Sequence, residues 1–225
     1  MRRPPPRSLI VFDLDGTLID SVPDLARAVG AFLGRHGFPG VAEGEMRGMM
    51  GDGAAELLGR CLAARQIALP QGRIAALAEE FLDLYDAWPH RNTRLYAGVA
   101  EHLPRLAAAG YTLAVCTNKR AALARAILDE LGVGRHVSAL AGAGSTPKLK
   151  PDPAPLRLIL ENLAKTPRDC VVVGDSANDI RMARAVGASS IGCRYGYLKH
   201  PGELDGADAV IDRFDALPQA LDSLR

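Results

Sequence analysis

SLIVFDLDGTLIDS, residues 8–21, opens on four apolar β-forming residues and then turns abruptly acidic. Leu9-Ile10-Val11-Phe12 is short and wholly apolar, the pattern of a strand buried on both faces of a parallel sheet. Asp13 and Asp15 follow at once, and Gly16-Thr17 supplies a turn. Two carboxylates at the end of a buried strand repel each other and lose hydration. A hard cation such as Mg²⁺ relieves both costs. Asp and Gly are also common turn residues, so a plain strand-ending turn is the alternative reading of this segment.

Outward from this stretch the period changes. Val22, Leu25, Ala26, Val29, Phe32 and Leu33 recur at helical spacing until Gly37-Phe38-Pro39-Gly40. A second helix is expected over about Gly53 to Arg65 and a third over about Ile74 to Trp88, with no strand-like run between Leu18 and Arg94. From Val99 the pattern alternates as βαβ units do. Strands are expected at Leu113–Cys116, Ala139–Ala141, Cys170–Val173, Ser190–Cys193 and Ala209–Ile211, with helices between them and a last helix from about Asp215. The expected fold class is α/β: a doubly wound parallel sheet, residues 1–18 and 95–225, with a helical cap domain, residues 19–94, inserted after the first strand. Reactive groups in such sheets gather at the carboxyl ends of the strands.

Composition narrows the function. Lys plus Arg (27) nearly balances Asp plus Glu (26), and aromatic residues make up 5% of the 225, so neither a basic footprint nor a base-stacking platform for nucleic acid is present. Cys61, Cys116, Cys170 and Cys193 form no C-x-x-C pair and suit small buried thiols of a reducing cytoplasm. Met1 to Arg7 is expected to be a frayed tail, because the four-residue apolar run behind it is too short for a signal core. No stretch approaches a membrane span. His36, His90, His102, His136 and His200 lack metal spacing and are expected at the surface or its boundary; Met46, Met49 and Met50 are expected to pack.

Four strand ends carry complementary chemistry. The first has Asp13 and Asp15, and the second Thr117-Asn118-Lys119. The third leads to a loop with Lys148-Leu149-Lys150-Pro151-Asp152-Pro153, and the fourth to Gly174-Asp175-Ser176-Ala177-Asn178-Asp179. Together they resemble the four motifs of the haloacid dehalogenase superfamily, in family order, from Leu9 to about Val186. The resemblance implies that Asp13 is a nucleophile and Asp15 a general acid/base. It implies that Thr117 and Asn118 bind the phosphoryl group and that Lys150 offsets its charge. It further implies that Asp13, Asp175, Asp179 and the main-chain carbonyl of Asp15 surround Mg²⁺. Lys148 competes with Lys150 for the third position, which the following Pro-Asp-Pro favours for Lys150. Asp179 either meets the metal, directly or through water, or orients Lys150. Thr117 also reads as an N-cap for the next helix.

The activity implied is phosphomonoester hydrolysis through an aspartyl-phosphate, on a small phosphorylated metabolite, by a monomer or homodimer. Within the superfamily the chain looks most like phosphoglycolate phosphatases, on D-G-T-L-x-D-S, the Gly51-Asp52-Gly53 loop, T-N-K and Arg194-Tyr195-Gly196-Tyr197. Sugar-phosphate phosphatases share these features, and a phosphomutase would share the core. A phosphonatase would need a cap lysine, and no Lys occurs between Leu18 and Arg94. A carboxylate-bearing substrate therefore turns attention in the cap to Arg47 and to the amides of Gly51, Asp52 and Gly53.

Overall fold

A computed structural model describes residues 7–224, so the tail expected over Met1 to Arg7 lies, apart from Arg7, outside the described residues. The chain groups into two compact units, one running to Asp20 and resuming at Arg94, the other Ser21–Thr93.

The first unit begins with β1 (Leu9–Phe12), every residue of which is buried. A tight loop leads to the two-residue strand β2 (Ile19–Asp20). The chain then enters the second unit, made of α1 (Val22–Arg35), α2 (Glu43–Arg47), α3 (Ala54–Ala63) and α4 (Gln71–Asp86). It returns through β3 (Arg94–Leu95), followed by α5 (Val99–Ala108), β4 (Thr112–Arg120), α6 (Ala121–Glu130) and β5 (Ala139–Ala143). The remainder is α7 (Ala154–Asn162), β6 (Cys170–Gly174), α8 (Ala177–Val186), β7 (Ser189–Cys193), β8 (Ala209–Ile211) and α9 (Leu217–Ser223).

Six of these strands form one parallel sheet in the order β5-β4-β1-β6-β7-β8. The order reverses about β1, because β4 and β5 build outward on one side and β6 to β8 on the other; this is where α/β sheets open a crevice. Register makes the crevice a site. Phe12 lies level with Val115 on one side and Val173 on the other, so Asp13, Thr117 and Asp175, one or two residues further on, come near one height. Beneath them Leu9, Val11, Ala114, Cys116, Cys170 and Val172 pack against Leu156, Ile159 and Met182. Removing such a side chain to Ala would cost about 2–5 kcal/mol, so the strand ends stand on a stiff base. All four cysteines are free and buried, and burial pushes the Cys116 thiol up to about 12, as expected of inert packing groups.

The helical unit is held by its own apolar stripes: Phe32 of α1 meets Phe81 of α4 edge-on at 5.6 Å, and Phe81 stacks on Tyr85 at 5.6 Å. Met46 and Met50 are buried, and Cys61 lies 3.6 Å from the Met49 sulfur, so these methionines do pack. Asp24 on α1, 1% exposed, accepts hydrogen bonds from the amides of Asn92 and Thr93 (both 2.7 Å), from Asn92 Nδ2 (2.8 Å) and from the Thr93 hydroxyl (3.0 Å).

Four expectations need correction. Ile19–Asp20 is a strand, paired antiparallel with Arg94–Leu95 in the first unit; two residues are too few to show a period. The helix α2 escaped notice for the same reason. The second strand runs on to Arg120, because after an irregularity Arg120 pairs with Ala143. The final helix starts at Leu217 after a 3₁₀ turn, Phe214–Ala216. No helix among the described residues is long and apolar enough to cross a membrane.

Candidate active site

Asp13 leaves β1 with its amide hydrogen-bonded to the Val173 carbonyl of β6 (2.8 Å), continuing the ladder by one residue and pinning the side chain at the sheet edge. Its Oδ1 accepts the Leu14 amide at 2.6 Å and the Lys150 ammonium at 2.7 Å. The loop beyond folds back on Leu14, whose carbonyl accepts the amides of Leu18 (2.9 Å) and Ile19 (3.0 Å). Gly16 sits at φ +87°, and a Cβ there would fall on the Asp175 carboxylate, so both conformation and space require glycine.

Lys150 is 4% exposed and its ammonium bridges Asp13 Oδ1 and Asp179 Oδ1, 2.7 Å from each. Burial opposes its charge, but the two carboxylates outweigh that and hold its pKa above the ordinary lysine range. Lys148 is exposed and pairs with Asp152 at 3.2 Å, so of the two lysines it is Lys150 that is brought to Asp13. Asn118 clamps Lys150 by its main chain, accepting the Lys150 amide at 2.9 Å and donating to its carbonyl at 3.1 Å. The Asn118 side chain thus holds a lysine, a positioning task that the expected phosphate contact did not include.

Asp175 and Asp179 bracket the start of α8. Asp179 is fully buried; its Oδ2 accepts the Ser176 amide (3.1 Å) and hydroxyl (2.6 Å), a capping arrangement, while its Oδ1 meets Lys150. Asp175 accepts the Thr17 hydroxyl on Oδ1 (3.1 Å) and the Tyr197 amide on Oδ2 (2.6 Å). Asp13, Asp175 and Asp179 offer carboxylate oxygens all within 4.8 Å of one another. Burial, and next Asp179, push Asp175 up to about 7, against the Tyr197 amide. Burial likewise pushes Asp13 well above the usual carboxylate range, against Lys150 and with Asp179 and Asp175.

That electrostatic balance tests the fit of a metal. When all are ionised, three buried carboxylates facing one ammonium leave an excess of two negative charges, and the raised pKa values of Asp13 and Asp175 record that cost. A divalent hard cation at Asp13 and Asp175 balances that excess with the oxygen donors it prefers.

Asp15 lies outside this cluster, its Oδ1 3.1 Å from the Lys119 ammonium. Thr117 is 2% exposed and its hydroxyl accepts the Lys119 amide at 3.1 Å. It is no helix cap: α6 begins at Ala121, after Arg120. Arg47 is exposed at the end of α2, and Gly51, Asp52 and Gly53 precede α3; all four belong to the helical unit. Asp52 pairs with Arg60, which also donates to the Met49 carbonyl at 2.8 Å, so this loop is tied to α3. His36, His90, His102 and His136 lie at the boundary and His200 is exposed, as expected.

Some contributors carry tasks that sequence did not assign. Thr17 and Lys119 stood inside recognised motifs, where only their chemistry could have drawn notice. Tyr195, Gly196 and Tyr197 lie in a loop that straps the site: the Tyr195 hydroxyl donates to the Thr17 carbonyl (2.9 Å) and the Tyr197 hydroxyl to Asp20 Oδ1 (2.9 Å). A Cβ at Gly196 would strike the Asp175 side chain and the Gly16 carbonyl. Glu203, 3% exposed, accepts the Ala177 amide at 3.1 Å and so caps α8; no local signal in sequence marks it.

Comparison with known proteins agrees with this geometry. The sequence pattern of the haloacid dehalogenase-like hydrolases matches residues 8–187. The phosphoglycolate phosphatase of Vibrio vulnificus is 40% identical over 217 residues, covering 95% of this chain and 94% of its own. That of Agrobacterium fabrum is 37% identical over 213 residues, covering 95% and 91%. Among solved structures, a predicted phosphoglycolate phosphatase from Haemophilus somnus superposes with a TM-score of 0.85 at 32% identity, covering 95% of this chain and 97% of that one.

Proposed function

The chain belongs to the haloacid dehalogenase-like hydrolases, and from that premise we propose that it hydrolyses 2-phosphoglycolate with Mg²⁺ through an aspartyl-phosphate on Asp13. It is a phosphatase of small phosphate esters. The observation that carries the proposed site is the Lys150 ammonium lying 2.7 Å from both Asp13 and Asp179 within a group of three buried carboxylates.

Asp13, Asp175 and the main-chain carbonyl of Asp15 are the proposed holders of Mg²⁺, which when bound draws charge from the phosphoryl oxygens. Lys150 faces the same oxygens and, through its ammonium on Oδ1, keeps Asp13 aimed. Asp179, engaged by Ser176 on one oxygen, acts by orienting Lys150 with the other. Thr117 hydrogen-bonds the transferring group, and Asn118 holds the Lys150 main chain. Asp13 attacks phosphorus in line, forming the Asp13–phosphorus bond as the bond to the ester oxygen breaks. Asp15 gives that oxygen a proton, then takes one from the water that cleaves the aspartyl-phosphate, releasing phosphate and restoring Asp13. Arg47 and the Gly51–Gly53 amides are proposed to contact the substrate from the helical unit.

Phosphate release from a panel of small esters tests this, with Mg²⁺ and with EDTA. 2-Phosphoglycolate should lead the panel, activity should vanish with EDTA and return with Mg²⁺, and Asp13→Asn should abolish turnover without unfolding the protein. Preference for a sugar phosphate would move the substrate; normal turnover by Asp13→Asn would remove the nucleophile.

A further inference from the structure

Resting on the phosphoglycolate reading, we infer that Lys119 recognises the carboxylate of the leaving group, so that the substrate class is phosphate esters of 2-hydroxy carboxylic acids. The Lys119 side chain is 7% exposed, and its ammonium lies 3.1 Å from Asp15 Oδ1. A lysine this buried is uncommon, because its charge loses hydration, and it persists where charge partners await it. The placement is built by the main chain: beyond Cys116 the Lys119 amide turns back onto the Thr117 hydroxyl at 3.1 Å, ahead of the renewed pairing at Arg120.

Two cations therefore stand at this strand edge with different duties. Lys150 already bridges two carboxylates and faces the phosphoryl group. Lys119 stands beside the residue that protonates the leaving oxygen. Proton transfer needs Asp15 within roughly 2.6–3.2 Å of that oxygen. In 2-phosphoglycolate the carboxylate is bonded to the same carbon as that oxygen, which puts its own oxygens on the order of 3 Å away by ordinary bond lengths. A cation 3.1 Å from Asp15 meets the carboxylate when the seated substrate turns that group toward it. An ammonium has three donors, so Lys119 can keep Asp15 and accept the substrate carboxylate together. A neutral tail offers the ammonium no charge to meet.

The test compares kcat/KM, with Mg²⁺, for 2-phosphoglycolate and for 2-hydroxyethyl phosphate, in which a hydroxymethyl group replaces the carboxylate. The unmodified protein should prefer 2-phosphoglycolate. Lys119→Met, similar in length but uncharged, should lower that preference about tenfold, chiefly by raising KM for 2-phosphoglycolate, and Lys119→Arg should restore part of it. Should the Met variant fail to fold, as read by thermal unfolding, Lys119→Gln carries the same expectation. Equal losses on both substrates would make Lys119 a support for Asp15 and overturn the inference, as would an unchanged preference. If the unmodified protein shows no preference for the carboxylate, the phosphoglycolate reading itself falls and takes the inference with it.

Discussion

Lowering the pH from 8 to 6 should weaken Mg²⁺ binding to the metal-free protein by about tenfold or more. Asp175 is the reason: burial and the neighbouring Asp179 push its pKa up to about 7, against the Tyr197 amide, Lys150 and Thr17. A cation needs the ionised carboxylate, so binding must expel whatever proton it holds. At pH 8 roughly nine-tenths of the molecules are ready, at pH 6 roughly one-tenth, and each tenfold step corresponds to about 1.4 kcal/mol. Asp13, also raised, acts in the same direction. Titration calorimetry at pH 6.5, repeated in two buffers of different ionisation enthalpy, counts the protons released; at least about one-half is expected from Asp175. The stability of the metal-free protein carries the matching sign. Unfolded, Asp175 ionises near the ordinary 3.8; folded, it holds its proton to about 7. The folded state thus binds more protons across that window, and stability present below it is lost as pH rises toward 7. Affinity independent of pH, with no proton release, would refute the proposal that the buried Asp175 holds the metal.

Lys150→Met should abolish turnover and lower the stability of the metal-free protein by about 3–5 kcal/mol at pH 8, read by urea unfolding, because Asp13 and Asp179 lose their buried partner. Gly196→Ala, whose Cβ would strike Asp175 and the Gly16 carbonyl, should cost about 1–3 kcal/mol by overpacking and raise the Mg²⁺ concentration needed for half-maximal activity. Arg47→Ala should raise KM for 2-phosphoglycolate about tenfold, a charge-assisted contact of roughly 1.5 kcal/mol, with a smaller effect on p-nitrophenyl phosphate. Equal effects on both esters would assign Arg47 to folding of the helical unit.

The parallel sheet was legible because β1 and β6 are continuous apolar runs, and the acidic part of the candidate site because Asp13 and Asp175 follow those runs directly. Sequence favoured Lys150 over Lys148 only through the Pro-Asp-Pro that follows it, because which ammonium is buried between two carboxylates is a matter of tertiary placement. It could not separate the two tasks open to Asp179, which depend on where Ser176 sits. Glu203 and Tyr197 reach the site from more than twenty positions beyond Asp175, through contacts that no local period encodes. Lys119 was visible in T-N-K, yet only the 3.1 Å approach to Asp15 gives it a task distinct from that of Lys150.

The short ladder of Ile19–Asp20 against Leu95–Arg94 has a consequence for engineering. Asp20 and Arg94 are already opposite one another in antiparallel register, so the chain leaves the core and re-enters it through adjacent doors. An Asn-Gly pair is the turn that joins such strands most readily. Ser21–Thr93 is in that sense a removable cassette: splicing Asp20 through Asn-Gly to Arg94 would yield a continuous miniature that keeps Asp13, Asp15, Lys119, Lys150 and Asp175. Such a miniature, or one carrying a foreign cassette at the same splice, would show which part of the chain any substrate selectivity follows.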